Sequence, residues 1–439
     1  MVQYSQLTEV IRASDPEVAE LIRAESGRLK TTLSLIPSEN FMFPEAALAL
    51  ATPLSTKYSE GYPHVWKDGV CIPKDARYYQ GQENANLLER LAIERALQLF
   101  TPDPAQYHAN VQPLSGAPAN LEVLSAFLRP GETFMGLSLD YGGHLTHGHK
   151  VNVTSQYYRA VQYGLNERNE LDYDRIAALA REHRPKLIFC GATAYALTID
   201  FEAFGRIARE VGAILVADIS HICGLCVAGV HPHPLPHADV ITTTTHKILR
   251  GPRAGLIICK KEYGVAIDRA VFPGMQGGPH LNTIAALAIT FREARTEAYR
   301  DYARQVAANG RALAESLQQA GFCLVGGKTE NHLILIDLTG GEHGLEAGMG
   351  DLVAARLEEA GIVINKNAVP GDLKPWKPSG IRLGTPAVTS LGMKEAEMVA
   401  IASLIDQAVR NREDHEELAR IKAEVKALMD RFAAQLPEW

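Results

Sequence analysis

Between Lys186 and Cys259 the chain alternates short apolar runs with polar or amphipathic connections, and this rhythm restricts the fold more than any other feature. KLIFC (Lys186–Cys190), AILVAD (Ala213–Asp218), DVITTT (Asp239–Thr244) and GLIIC (Gly255–Cys259) have the length and apolarity of strands buried on both faces. Phe201–Val211 carries helical spacing and stops at Gly212, a residue suited to a left-handed helix end. Strands separated by helices imply right-handed crossovers, hence an α/β fold with a mostly parallel central sheet flanked by helices.

The flanks read differently. Residues 1–30 form a helical arm, with Asp15-Pro16 as a helix start. Glu83–Phe100 and Asn120–Leu128 have helical apolar spacing, the second ended by Pro130-Gly131. From about Tyr299 a long amphipathic helix leads into a smaller α+β unit containing HLILID (His332–Asp337) and IVIN (Ile362–Asn365). Two helices finish the chain, the last over Glu416–Leu436. The pattern divides the chain into an arm (1–40), a large domain (41–298) and a smaller C-terminal domain (299–439).

Composition excludes several classes. A formal charge of −7 leaves no basic footprint for nucleic acid. The polar N-terminus lacks the apolar core of a secretory signal. No run approaches the roughly 18 apolar residues that span a bilayer. Six cysteines in a chain of this length fit a reducing cytoplasm better than a disulfide scaffold. Cys223 and Cys226 form a lone CxxC, which reads as buried thiols rather than zinc ligands.

Five short stretches carry chemistry. TTTTHK (Thr242–Lys247) puts a lysine just past a strand end, where α/β folds bind ligands. His246 and Arg253 are cationic neighbours that would make its amine nucleophilic toward a carbonyl cofactor, whereas alone it reads as a solvated turn lysine. Asp218 ends an apolar strand and is costly there unless partnered; a protonated pyridine nitrogen is one such partner, a helix cap the plainer alternative. His221 lies three residues on. Ser115-Gly116-Ala117-Pro118 precedes a helix whose N-terminus can hold a phosphate, or is simply its cap. His144 and His147, in GGHLTHG, lack a carboxylate at ligand spacing, so stacking on a planar ring is preferred to a metal. Arg382, in SGIRLGTPA, can grip a carboxylate with two parallel hydrogen bonds, or sit on an edge strand.

Together with LIPSEN (35–40), KYSEGYP (57–63), FPGMQGGP (272–279) and INKNAVP (364–370), these stretches resemble the serine hydroxymethyltransferase family from about Leu33 to Gly392. The resemblance implies a fold-type I pyridoxal-phosphate transferase that cleaves the Cα–Cβ bond of serine and passes the carbon to tetrahydrofolate. Lys247 would attach the cofactor, Asp218 pair with its ring nitrogen and His144 stack on the ring. Thr193 and His221 would flank its phenolic oxygen; Ser115, Gly116 and His246 would hold its phosphate. Tyr58, Glu60, Gly277 and Gly278 would come from a neighbouring subunit, making a homodimer the minimum active unit. Arg382, Ser38 and Arg253 would bind the amino acid and Tyr78 lie over it. Glu60 would transfer protons, with Thr244 also among the catalytic residues. Leu139, Gly143, Leu145 and Asn367 would line a folate pocket. No metal is expected.

Departures fall near substrate-choosing positions. HVWKDGVCIPKDA (64–76) replaces a much shorter connection, QGQENAN (80–86) replaces a glycine-rich run, and the phosphate loop reads SGAPAN. Three further readings therefore stand beside the first: an α-methylserine hydroxymethyltransferase or aldolase, a threonine-type aldolase or transaldolase, and a cofactor-free binding protein.

Overall fold

The computed structural model describes residues 5–372 and 376–436. The chain forms two compact units: residues 45–304, and residues 1–44 with 305–439.

The first unit is built on a seven-stranded sheet. Its order is Tyr107–Asn110, Gly255–Lys260, Val240–Thr244, Ile214–Asp218, Leu187–Cys190, Thr133–Leu137 and Arg159–Tyr163. Five consecutive strands are parallel, and Gly255–Lys260 runs antiparallel to both its neighbours. The four apolar runs of the sequence are therefore strands, each within a residue of its expected bounds. Helix Phe201–Val211 follows Leu187–Cys190 and ends on Gly212 at φ +71°. Phe134, Leu187, Phe189, Val216, Val240 and Ile257 pack with Ala119, Val123 and Leu124 into one apolar core.

One expectation needs correction here, and one segment left without an assigned structure gains one. The helix placed at Asn120–Leu128 spans Gly116–Phe127, because Pro118 is tolerated in a first turn whose N–H groups have no intrahelical partner. The inserted segment 64–76 is a β-hairpin: Gly61–Lys67 pairs antiparallel with Val70–Arg77. Asp68 and Gly69 turn it with φ of 51° and 75°, the left-handed pair of a tight hairpin turn.

The second unit contains a four-stranded antiparallel sheet, Cys323–Leu324, Leu333–Asp337, Gly380–Gly384 and Asn365–Asn367. The run expected as one strand over 362–365 is divided. Ile362–Val363 pairs with Leu33–Ser34, and Asn365–Asn367 pairs with the strand of Arg382. Helix Pro16–Thr31 starts at Asp15, whose carboxylate accepts from Val18 N at 3.1 Å. The final long helix spans His415–Asp430, with a separate turn at 433–435.

Candidate functional site

Parallel strands deliver their last residues to one edge of the sheet, and the first unit gathers its polar groups there. Asp218 ends Ile214–Asp218 and is 7% exposed. Its Oδ2 accepts from Asn120 Nδ2 at 2.8 Å and pairs with His147 Nε2 at 3.1 Å. Its Oδ1 accepts from Ser220 Oγ at 2.6 Å. Burial pushes this carboxyl up, but His147, His144 and Ser220 outweigh burial and hold it well below the ordinary carboxylate range. Asp218 is thus a buried group that stays ionised. The chain continues outward through Asn120 Nδ2 to Thr146 Oγ1 at 2.9 Å and on to His144 Nδ1 at 2.8 Å. Burial, with the nearby His147 and Lys247 charges, lowers His144 to about 4, so its imidazole is neutral at pH 7.

Lys247 follows the neighbouring strand Val240–Thr244 and is 9% exposed. Its charge is felt at both His144 and His246. His246, lowered to about 3 by burial and then by Arg253 and Lys247, is also neutral, and its Nδ1 is buried with no partner among the described residues. Thr244 N donates to Ser220 Oγ at 3.2 Å. His221 is buried one residue further on.

The start of helix Gly116–Phe127 completes this group. A Cβ on Gly116 would sit 2.6 Å from Thr244 Cγ2 and 3.6 Å from Ser220 Oγ. Only a residue without a side chain lets the helix start approach these strand ends. Ser115 at the N-cap makes no capping hydrogen bond with its side chain. The first-turn N–H groups and the positive end of the helix dipole are therefore left for an anion. A buried ionised carboxylate, an adjacent buried lysine and an uncapped helix start fit the ring nitrogen, aldehyde and phosphate of pyridoxal phosphate.

Thr193 follows Leu187–Cys190 and donates its N–H to Gly142 O at 2.7 Å. This ties the Thr193 loop to the segment holding Leu139, Gly143 and Leu145. Gly143 lies against the backbone at Leu137, and Leu145 is 41% exposed.

A second group forms where the hairpin leaves the fold. Tyr58 and Glu60 precede it and Tyr78 follows it; Tyr78 N donates to Glu60 O at 2.9 Å. Built Cβ positions on Gly277 and Gly278 lie 3.4 Å from Glu60 Oε1 and 3.9 Å from Tyr58 Cδ1. The structure so brings together the four residues expected to serve a neighbouring subunit. Tyr58 and Tyr78 are 64% and 79% exposed, with Tyr79 edge-on to both at 5.6 and 5.3 Å.

The hairpin itself is tied down. Asp268 is a buried carboxylate that pairs with His64 Nε2 and His108 Nε2, each at 2.8 Å. It also accepts from Trp66 Nε1 at 2.8 Å and Asn110 Nδ2 at 2.9 Å. His64, His108 and Asp268 are close enough to share a metal ion. Four N–H partners nevertheless fill the carboxylate's acceptor directions, and Trp66 and Asn110 cannot ligate through those groups. The cluster is an anchor for the inserted strand.

In the second unit, Arg382 lies on Gly380–Gly384, 8% exposed, with Nε donating to Asn365 Oδ1 at 3.1 Å. Burial lowers its guanidinium to about 10, still charged at pH 7. Ser38 sits in a turn whose Pro37 packs against Gly384, and Gly384 N donates to Leu35 O at 2.7 Å. Ser38 is thus carried to the end of the Arg382 strand. Asn367 lies on the adjoining strand, its Nδ2 donating to Ala368 O at 2.6 Å.

Sequence reasoning missed several of these partners. His147 and Asn120 hold Asp218 from 71 and 98 residues away along the chain, a distance no local pattern encodes. Arg77 and Glu89 form a buried ion pair that reads as surface charge in the sequence. The hairpin did leave a signal, the Asp-Gly pair between extended runs.

The chain matches the family profile described as serine hydroxymethyltransferase over residues 11–405. It is 51% identical over 422 residues to a serine hydroxymethyltransferase of Sorangium cellulosum, covering 96% of this chain and 95% of the relative. It is 50% identical over 430 residues to one from Acidothermus cellulolyticus, covering 96% of each. Against one from Desulfotalea psychrophila it is 48% identical over 425 residues, covering 97% of this chain and 95% of the relative.

Proposed function

The chain belongs to the serine hydroxymethyltransferase family, and from that premise we propose how its residues divide the work of interconverting L-serine and glycine with tetrahydrofolate. The observation that carries the reading is Asp218, a buried carboxylate held ionised by its hydrogen bonds to His147 and Ser220, at the end of the strand next to the one that leads to Lys247. Pyridoxal phosphate supplies, when bound, an electron sink for the pair freed at Cα as the Cα–Cβ bond breaks.

Lys247 would hold the cofactor's aldehyde. Asp218 would pair with its ring nitrogen, and neutral His144 would stack on the ring. Ser115, Gly116 and His246 would hold the phosphate, with Thr193 and His221 at the phenolic oxygen. Arg382 binds the substrate carboxylate with Ser38; a desolvated guanidinium makes strong charge-assisted hydrogen bonds. Arg253 also binds the amino acid, Thr244 takes part in catalysis, and Tyr78 covers the amino acid. Glu60 moves the proton of the β-hydroxyl. Leu139, Gly143, Leu145 and Asn367 receive the folate. Exposed Tyr58 and Tyr78, gathered with Glu60, Gly277 and Gly278 at one surface, support donation of this group to a second copy in a homodimer. Six free cysteines, and no helix among the described residues long and apolar enough to cross a membrane, support a cytoplasmic location.

The test is turnover of the yellow purified protein on L-serine and on α-methyl-L-serine, each with and without tetrahydrofolate. Folate-stimulated conversion of serine to glycine is expected. Preference for α-methylserine, or indifference to folate, would assign the hairpin-bearing site to another substrate of the same carbanion chemistry.

A further inference from the structure

The inserted hairpin begins one residue after Glu60 and ends one residue before Tyr78, so whatever fixes its base also fixes these two side chains. Arg77 is the last hairpin residue, and its side chain is 0% exposed. Its Nη1 donates to Ser59 O at 2.8 Å and to Gly61 O at 2.7 Å. These are the carbonyls immediately before and after Glu60. The carbonyl of Glu60 itself accepts from Tyr78 N at 2.9 Å. Three consecutive peptide groups are therefore held, and the backbone torsions that aim the Glu60 side chain have little freedom.

The guanidinium is in turn fixed from behind. Its Nη2 donates to Glu89 Oε2 at 2.6 Å and its Nε to Asn86 Oδ1 at 2.9 Å. Glu89 Oε1 accepts from Gln112 Nε2 at 2.8 Å, and the same amide donates to Gly61 O at 3.0 Å. Ser59 Oγ donates to Gln82 Oε1 at 2.7 Å. The helix Glu83–Phe100, which carries Asn86 and Glu89, so acts on Glu60 through one planar cation. A surface loop needs no such provision, since a buried ion pair is costly to desolvate and adds little stability over apolar packing.

We propose that Arg77, oriented by Glu89, is a positioning residue that sets the direction of the Glu60 carboxylate. The inference rests on the reading of Glu60 as the proton-transfer group. Lysine at 77 would keep the charge, but with three donors on a single nitrogen it cannot serve the four acceptors that the guanidinium spans.

The test is a double-mutant cycle of Arg77→Lys with Glu60→Gln in the full-length, cofactor-loaded protein. Turnover of L-serine with tetrahydrofolate is normalised to bound cofactor. Arg77→Lys alone is expected to lower kcat about tenfold while KM for serine stays within about twofold, the signature of a misplaced proton-transfer group. In the Glu60→Gln background the same change is expected to cost less than about twofold, because its target is already gone. A full tenfold loss in that background would show that Arg77 acts on the fold generally, and overturns the inference. A Glu60→Gln protein at the wild-type rate would overturn the reading of Glu60 itself, and the inference with it. If Arg77→Lys does not load cofactor, Glu89→Gln takes its place in the cycle under the same criterion, keeping the guanidinium and removing the charge that orients it.

Discussion

Replacing Gly61 by alanine is expected to damage the protein far more than the same change at Gly69, although both lie on the hairpin with left-handed backbone. Gly61 has φ +98°, and a Cβ there would stand 2.3 Å from Ala76 O and 3.1 Å from Arg77 Cα. Gly69 has φ +75°, with nothing within 4 Å of a built Cβ. The left-handed conformation alone costs a non-glycine residue about 1–2 kcal/mol. At Gly69 part of that is returned by the smaller entropy of the unfolded chain, leaving about 1 kcal/mol. At Gly61 the overlap with Ala76 O forces the two strands apart at their first pair. That also loosens the Arg77 bond to Gly61 O, and charge-assisted hydrogen bonds are worth about 1.5–3 kcal/mol. The total for Gly61→Ala is about 4 kcal/mol. Urea unfolding of both variants, read from the midpoint at unchanged slope, measures the difference. Gly61→Ala is also expected to lose turnover through Glu60, and Gly69→Ala to keep it. Equal destabilisation of the two variants, or a fully active Gly61→Ala protein, would refute the argument that the hairpin base is rigid.

Three further expectations follow from buried charges. Asp218→Asn keeps the shape but removes the ionised group, and is expected to lower kcat on the order of a hundredfold or more, with weaker cofactor retention measured by dialysis. Arg382→Gln is expected to raise KM for serine about 10- to 100-fold, the loss of one charge-assisted pair, with cofactor absorbance unchanged. Glu122 is buried with no hydrogen-bond partner for either carboxyl oxygen among the described residues, and burial raises it from 4.5 to about 8. The unfolded chain ionises this group near 4.5 and the folded one near 8, so its contribution is fully present below 4.5 and is lost as pH rises through that window. Urea midpoints are expected to fall for the wild type between pH 5 and 8 and to fall less for Glu122→Gln; parallel pH slopes would contradict this.

The strands and the two residues at their ends were legible because each depends on neighbours along the chain. AILVAD stops being apolar at Asp218, and DVITTT hands over to His246 and Lys247 within three residues. An apolar run that ends in a polar group marks both a buried strand and the edge where ligands bind. The resemblance to a known family then supplied roles for residues whose local pattern carried none, such as Glu60 and Ser38. The partners of these groups were beyond reach. Which donors meet Asp218 is decided by the crossovers that set Ile214–Asp218 beside Val240–Thr244 and by a glycine that lets Gly116–Phe127 close on them. The inserted segment shows the same division. Its Asp-Gly turn is local chemistry, readable in two letters. Its anchoring to Asp268, some 200 residues away, depends on a buried carboxylate finding four donors at once. Sequence alone determined where the chain turns and which faces are apolar, since backbone preference and hydrophobic period act over a few residues. Tertiary structure decided which polar groups are buried together, because a desolvated charge takes whatever partners the packed fold brings within about 3 Å.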